Sequence, residues 1–351
     1  MRVAIVGATG NVGTSVIRSL VADPRVDSIL GIARRRPQLI LPKVEWAEAD
    51  IRSADLGALF LGADAVVHLA WLIQPSRNEQ ETESVNVVGS ERVFGAIGDA
   101  GVPRLVYASS VGAYSPGPKD RTVDETHPTD GIPTSFYSRH KAAVERILDR
   151  FEATTPSVSV ARLRPALIFK REAASEIRRL FAGPFLPNAL VTRRLIPIVP
   201  AVRGLRFQAV HSLDVGEAYR AAVFSKATGA FNIAADPILE PGKLGELLDA
   251  RPVRVPRRLL RVLTSVTWHL RLQPTPPGWL DLALSVPLMS TERARGELGW
   301  EPRRSASEAL LELLEGLREG RGMSTPPLDP HAGGPLRAGE LASGVGRRAA
   351  V

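Results

Sequence analysis

The sequence predicts an α/β fold in which a doubly wound parallel sheet is followed by a smaller C-terminal domain. Three observations carry this. Short β-branched runs alternate with amphipathic stretches through the first half, a glycine-rich turn follows the first of those runs, and the alternation stops after Arg164. Strand-helix alternation of this kind builds a parallel sheet covered on both faces. Residues 3–6, 29–32, 66–69, 105–108 and 158–163 read as strands, with 44–47 as a shorter candidate. Between them, 11–22, 84–99 and 137–152 carry helical periodicity. Residues 166–205 are irregular and rich in Pro and Arg, after which a helix over 213–225 and a strand over 230–233 resume the pattern. Residues 254–272 predict a basic amphipathic helix with Leu259, Leu260, Leu263, Val266 and Leu270 on one face, expected to pack on the C-terminal domain, with association at a membrane surface as the alternative. A last helix covers 305–319. The tail, 321–351, has six Gly, four Pro and no aromatic residue, and is expected to be disordered.

Composition narrows the function classes. The chain has 351 residues, 44% of them hydrophobic, and no cysteine, which excludes disulfide frameworks, thiolate metal sites and a cysteine nucleophile. No apolar run is long enough to cross a bilayer, and Met1 to Gly7 reads as strand and turn rather than a signal peptide, so a cytoplasmic location without stable membrane insertion is expected. The net charge of +8 is uneven: residues 160–210 carry ten basic groups against two acidic, and 251–272 carry six against none. The first half is mildly acidic. That distribution argues against nucleic acid and favours a small, anionic substrate, with an arginine-rich genomic bias as the alternative. Homodimerisation stays open.

The first strand runs into Gly7-Ala8-Thr9-Gly10-Asn11-Val12-Gly13 and then a helix. Glycines three apart let the backbone turn tightly and approach a pyrophosphate, and the helix N-terminus offers unpaired N–H groups and the positive end of its dipole. An acid after the second strand would bind a ribose 2′-hydroxyl, whereas an arginine would pair with a 2′-phosphate. Here Arg34-Arg35-Arg36 follows and no acid does, which favours NADP over NAD, with Arg34 as the residue in reach and Arg35 and Arg36 as a solvated turn.

Tyr137-Ser138-Arg139-His140-Lys141 places a phenol and an ammonium one helical turn apart. A lysine beside a tyrosine favours the phenolate and makes it a usable acid/base near neutrality. Among four tyrosines and six lysines, about 0.07 such pairs arise by chance. The strand ending at Ala108 leads into Ser109-Ser110, where a parallel sheet places its chemistry.

With these motifs the chain resembles the extended short-chain dehydrogenase/reductases, which include the NAD-dependent epimerase/dehydratases, over about residues 1–320. Further matches are Ala49-Asp50-Ile51, His68-Leu69-Ala70, Asn86-Val87-Val88-Gly89, Ser110 to Tyr114, Arg164-Pro165, Val210-His211 and Leu298-Gly299-Trp300. The resemblance implies a Rossmann-type NAD(P)-binding domain over 1–165 with a returning segment, 206–235, and a substrate-binding region over 166–205 and 236–320. It implies Tyr137 as proton donor or acceptor and Ser110 as the hydrogen bond to the reacting oxygen. Lys141 would bind the nicotinamide ribose and tune Tyr137. Around the cofactor it places Gly7, Thr9, Gly10, Asn11, Val12, Gly13, Arg34, Asp50, Ile51, Leu69 and Ala70, with Asn86 supporting from its helix. His68, His211 and Asp214 are expected to be structural, Asp214 as a helix N-cap. Phe207 stands where nucleotide-sugar members carry an arginine for the diphosphate, and Arg206 points to the opposite face. The expected activity is therefore hydride transfer at a secondary alcohol or ketone carbon. A nucleotide-sugar epimerase/dehydratase and a non-catalytic NAD(P) sensor are the alternatives.

Overall fold

The computed structural model describes residues 1–188 and 197–347. Seven strands form the main sheet: β1 (Arg2–Val6), β2 (Ser28–Ala33), β3 (Val44–Glu48), β4 (Ala65–His68), β5 (Arg104–Ala108), β6 (Ser159–Pro165) and β7 (Gly229–Ile233). All neighbours are parallel, in the order β7-β6-β5-β4-β1-β2-β3. The order reverses at β1, and the crevice beside that reversal is where an open α/β sheet binds its ligand. Register brings Val6 beside both Ile32 and His68, so the loops after β1, β2 and β4 leave the sheet edge together.

Both faces of the sheet are covered, which is why β1 is apolar at every position from Val3 to Val6 rather than alternating. On one face α1 (Asn11–Val21) and the helix Ser212–Phe224 pack so closely that a Cβ on Gly216 would lie 2.6 Å from the Ser15 carbonyl oxygen. The other face holds the helix Gly89–Asp99 and α2 (Phe136–Thr154), with Phe94, Ile97, Val144 and Leu148 buried against Tyr107 and Val66. The stretch predicted as one helix over 84–99 is a π-helical turn, Ser84–Val88, leading into Gly89–Asp99.

Beyond β6, short strands organise the remainder. Leu167–Phe169 pairs with Phe207–His211, which pairs with Ala235–Leu239, while Ile198–Ala201 pairs with Arg251–Arg254. Helix α3 (Arg257–His269) then lies against α4 (Pro277–Ser285).

Two expectations change. Helix α3 does not bury its apolar face: Arg257 and Arg261 turn inward to Asp281, and Leu259, Leu263, Val266 and Leu270 face outward. Nor is the tail disordered over 321–347. Thr325 donates its hydroxyl to the Thr9 carbonyl at 2.8 Å, Leu328 is fully buried, and Glu340 forms a buried ion pair with Arg178. Composition missed this because the tail docks largely through polar groups: Arg179 donates to the Pro327 and Asp329 carbonyls, Arg77 to that of Val345, and Arg337 of the tail to those of Pro184 and Leu186. Residues 348–351 of the predicted tail, and 189–196 of the irregular segment, lie outside the described residues.

Candidate functional site

A cleft opens along the C-terminal ends of β1, β2 and β4. Its floor is Gly7, Thr9 and Gly10, and its flanks are Arg34, Arg35, Ile51, Leu69 and Ala70. Gly7 has φ +86°, and a Cβ there would sit 2.6 Å from the Ala70 nitrogen; a Cβ on Gly13 would sit 2.5 Å from the Gly7 carbonyl oxygen. Only glycine allows the loop to close this way. Gly10, by contrast, meets nothing nearer than 3.8 Å, so its side is open, and as N-cap of α1 it leaves the first helical N–H groups without a side-chain acceptor. The cradle thus has the shape and polarity that a dinucleotide's diphosphate requires. Lys170 braces it from beneath, its ammonium donating to the Asn11 carbonyl at 2.8 Å and to Thr14 Oγ1 at 2.7 Å.

Several of the predicted cofactor residues make contacts within the protein. Asn86 is buried and commits both side-chain groups to Leu72: its Oδ1 accepts from the Leu72 N–H at 2.7 Å and its Nδ2 donates to the Leu72 carbonyl at 2.8 Å. It shapes the loop after β4 rather than facing the cleft. Asp50 is held by Arg52, whose guanidinium lowers its carboxyl below the usual range, while Ala49 and Ile51 line the wall. Val12 packs on the core and Asn11 ties the loop to the Ile168 carbonyl. Arg35 joins Arg34 in the cleft wall, so the solvated turn reading is wrong for Arg35.

Further along, Ser110, Tyr137 and Lys141 converge. Ser110 caps the turn Val111–Ala113, accepting from the Gly112 N–H at 2.9 Å. Gly112 gives the Tyr137 ring its place, since a Cβ there would lie 2.7 Å from Tyr137 Cε1. Burial pushes the phenol up to about 12, and a hydrogen bond with Ser110 pulls in the opposite direction. Lys141 leaves the same side of α2 but turns away, donating to the Ala108 carbonyl at 2.6 Å and lying 3.4 Å above the Trp71 ring. Its burial moves the ammonium well below its ordinary value. The expected lowering of the tyrosine by the lysine is therefore absent here, because desolvation dominates both groups.

Aromatic rings enclose this corner. Trp279 of α4 stacks against Tyr137 at 4.8 Å, Trp71 meets it edge-on at 5.9 Å, and Phe181 backs Trp279 at 5.0 Å. The indole N–H groups of Trp71 and Trp279 have no partner among the described residues. None of these rings carried a motif; they come from three separate segments and gather around Tyr137 only by tertiary packing. Behind the site, Ser109 donates to buried Glu145, which also receives Arg162 and Arg164.

The remaining expectations sort cleanly. His68 is buried with its Nε2 2.9 Å from Ser90 Oγ, and burial takes its ring down to about 3. His211, not Asp214, caps the helix Ser212–Phe224; Asp214 accepts from the N–H groups of Arg303 and Arg304. Arg206 turns to Glu240 at 2.9 Å, away from the cleft. The positive segment 160–210 is largely neutralised from within, through Arg162 and Arg164 on Glu145, Arg171 on Glu319 and Arg178 on Glu340. Arg193 and Arg194 of that segment lie outside the described residues.

Residues 3–234 match the model of the NAD dependent epimerase/dehydratase family. An uncharacterized protein of Mycobacterium tuberculosis is 26% identical over 321 residues, 91% of this chain, but the chain spans only 30% of that protein's length. A 4-hydroxy-2-methyl-3-oxo-4-farnesyl-3,4-dihydroquinoline-1-oxide ketoreductase of Stigmatella aurantiaca is 27% identical over 204 residues, 55% of this chain and 56% of that protein. Among solved structures, the Thermotoga maritima UDP-glucose 4-epimerase with UDP-glucose superposes with a TM-score of 0.68 at 20% identity, covering 91% of this chain and 99% of its own. A dTDP-glucose 4,6-dehydratase double mutant of Streptomyces venezuelae with NAD bound also gives 0.68 at 20% identity, covering 94% and 100%.

Proposed function

The chain belongs to the NAD dependent epimerase/dehydratase family, and on that premise we propose that it moves a hydride between a dinucleotide and a secondary alcohol or ketone carbon. The observation that carries the reading is the meeting of Ser110 and Tyr137 beyond the end of β5, with Lys141 5.9 Å from the Tyr137 ring and Trp71, which also lines the glycine-floored cleft, edge-on to it. When bound, the nicotinamide supplies or accepts the hydride. Tyr137, protonated at neutral pH, delivers its phenolic proton to the carbonyl oxygen in the reductive direction. Ser110 holds the same oxygen, and the rings of Trp71 and Trp279 flank Tyr137. Lys141 supports the ribose. Arg34, together with Arg35, favours NADP over NAD, since no acid ends β2. In this reading residues 1–165 and 206–235 bind the cofactor, and 166–205 with 236–320 bind the substrate.

The aromatic wall around Tyr137 suits an apolar substrate body, in keeping with the ketoreductase relative. The second reading, a nucleotide-sugar epimerase or dehydratase, is favoured by the names of the structural neighbours and weakened by Arg206, which pairs with Glu240 instead of facing the cleft. Net change in nicotinamide absorbance on incubation with ketone substrates supports the reductase; product without net change supports the epimerase. Tyr137→Phe is expected to lower turnover about 10²- to 10⁴-fold with cofactor affinity unchanged. Near-full turnover in that variant overturns the assignment.

A further inference from the structure

We propose that α3 and the adjoining strand Arg251–Arg254 form a surface that docks on an anionic lipid bilayer. The proposal goes beyond the catalytic reading and does not depend on it. Helix α3 has no buried residue. Leu259, Val262, Leu263, Val266 and Leu270 recur at helical spacing, and each is between 48% and 65% exposed. They form one outward stripe about 100° wide, while the opposite side of the helix makes the protein contacts through Arg257 and Arg261 on Asp281. Amphipathicity is thus inverted relative to a helix that stabilises a core. An apolar face of this kind on a soluble surface marks an interaction site.

Charge selects the partner. Arg251, Arg254, Arg258 and Arg271 are exposed and have no acidic partner among the described residues, and residues 251–272 contain no Asp or Glu. An apolar stripe bordered by arginines lies flat in the headgroup region of a membrane carrying anionic lipid. No described helix is long and apolar enough to cross a membrane, so the geometry is interfacial and not spanning. A second copy fits less well: two-fold pairing through the same face would bring the unpaired arginines of both copies to one interface. The surface also adjoins the chemistry, because α3 packs on α4, whose Trp279 stacks on Tyr137. A docked molecule would hold its aromatic-walled corner one helix away from the lipid.

The test is flotation of the full chain with vesicles of phosphatidylcholine alone or mixed with phosphatidylglycerol. The protein is expected to float with the mixed vesicles, to bind the neutral ones at least tenfold less, and to be released by salt. Leu263→Ser with Val266→Ser, both solvent-exposed, should abolish flotation. Arg254→Glu with Arg258→Glu should reduce it at least ~25-fold, roughly fivefold per arginine. Both variants should keep the wild-type melting temperature and dinucleotide affinity, which separates loss of docking from loss of fold or function. Absence of flotation with the anionic vesicles, or flotation unchanged in either variant, overturns the proposal. So does a wild-type dimer that the Leu263→Ser, Val266→Ser variant converts to monomer.

Discussion

Replacing Gly112 by alanine tests whether the placement of the Tyr137 ring limits catalysis. The added methyl would lie 2.7 Å from Cε1 and 3.2 Å from Cδ1 of that ring, against an ordinary contact of 3.4 Å or more, so the ring must retreat by about 0.7 Å. It has little room. Trp279 stacks on it at 4.8 Å and Trp71 abuts it at 5.9 Å, and close-packed neighbours transmit such a shift rather than absorb it. The phenol would then move relative to Ser110, whose Oγ lies 3.3 Å from the same methyl. Misplacing a reacting group by about 1 Å lowers turnover on the order of 10²-fold, so a loss of about 30- to 100-fold is expected. The assay is steady-state turnover with thermal melting and dinucleotide titration as controls, since Gly112 is remote from the glycine cradle. The double variant with Tyr137→Phe should be no slower than Tyr137→Phe alone, because the ring's position matters only while it carries the hydroxyl. Turnover within threefold of wild type in the Gly112→Ala protein would refute the reasoning, as would additive losses in the double variant.

Two other outcomes follow from the same geometry. Arg34→Ala is expected to weaken NADPH about 10- to 100-fold, the equivalent of one lost charge-assisted hydrogen bond, while leaving NADH nearly unchanged; titration of both cofactors decides it. Glu145 is held down to about 2 by Arg164 and Arg162 against the opposing effect of burial, so its contribution to stability is present above about pH 4.5 and is lost as pH falls toward 2. Glu145→Gln should flatten that part of the acid-unfolding curve and leave the buried Arg164 guanidinium without a carboxylate, while Arg162 keeps Asp149 and Glu152, lowering stability by about 3 kcal/mol; urea unfolding across that pH range reads both effects.

The Rossmann half was legible because its signals are local. A strand, a glycine turn and an amphipathic helix each declare themselves within a dozen residues, and β1, β2, β4, β5 and β6 lie within two residues of their expected limits. The weak candidate at 44–47 is β3, at the sheet edge. What periodicity cannot say is which way an amphipathic helix faces. The stripe on α3 was read as a core face, yet Asp281, beyond the helix itself, draws Arg257 and Arg261 inward and turns the leucines out. The site divides in the same way. Spacing identifies Tyr137 and Lys141, and the strand end with the family resemblance identifies Ser110, but the direction of Lys141 depends on the Ala108 carbonyl and the Trp71 face, which no spacing encodes. Trp71, Phe181 and Trp279 come from three separate segments and meet only in the folded chain.

The packed tail alters how the cleft can be filled. Pro326 and Pro327 stand over the glycine cradle, and Ser343, Val345 and Gly346 close the far side, so a ligand as long as a dinucleotide must pass a segment latched by the Arg178–Glu340 pair and the Thr325 hydroxyl. A dinucleotide lying along the whole cleft would therefore meet main-body and tail residues together, and its binding is expected to be linked to the docking of the tail.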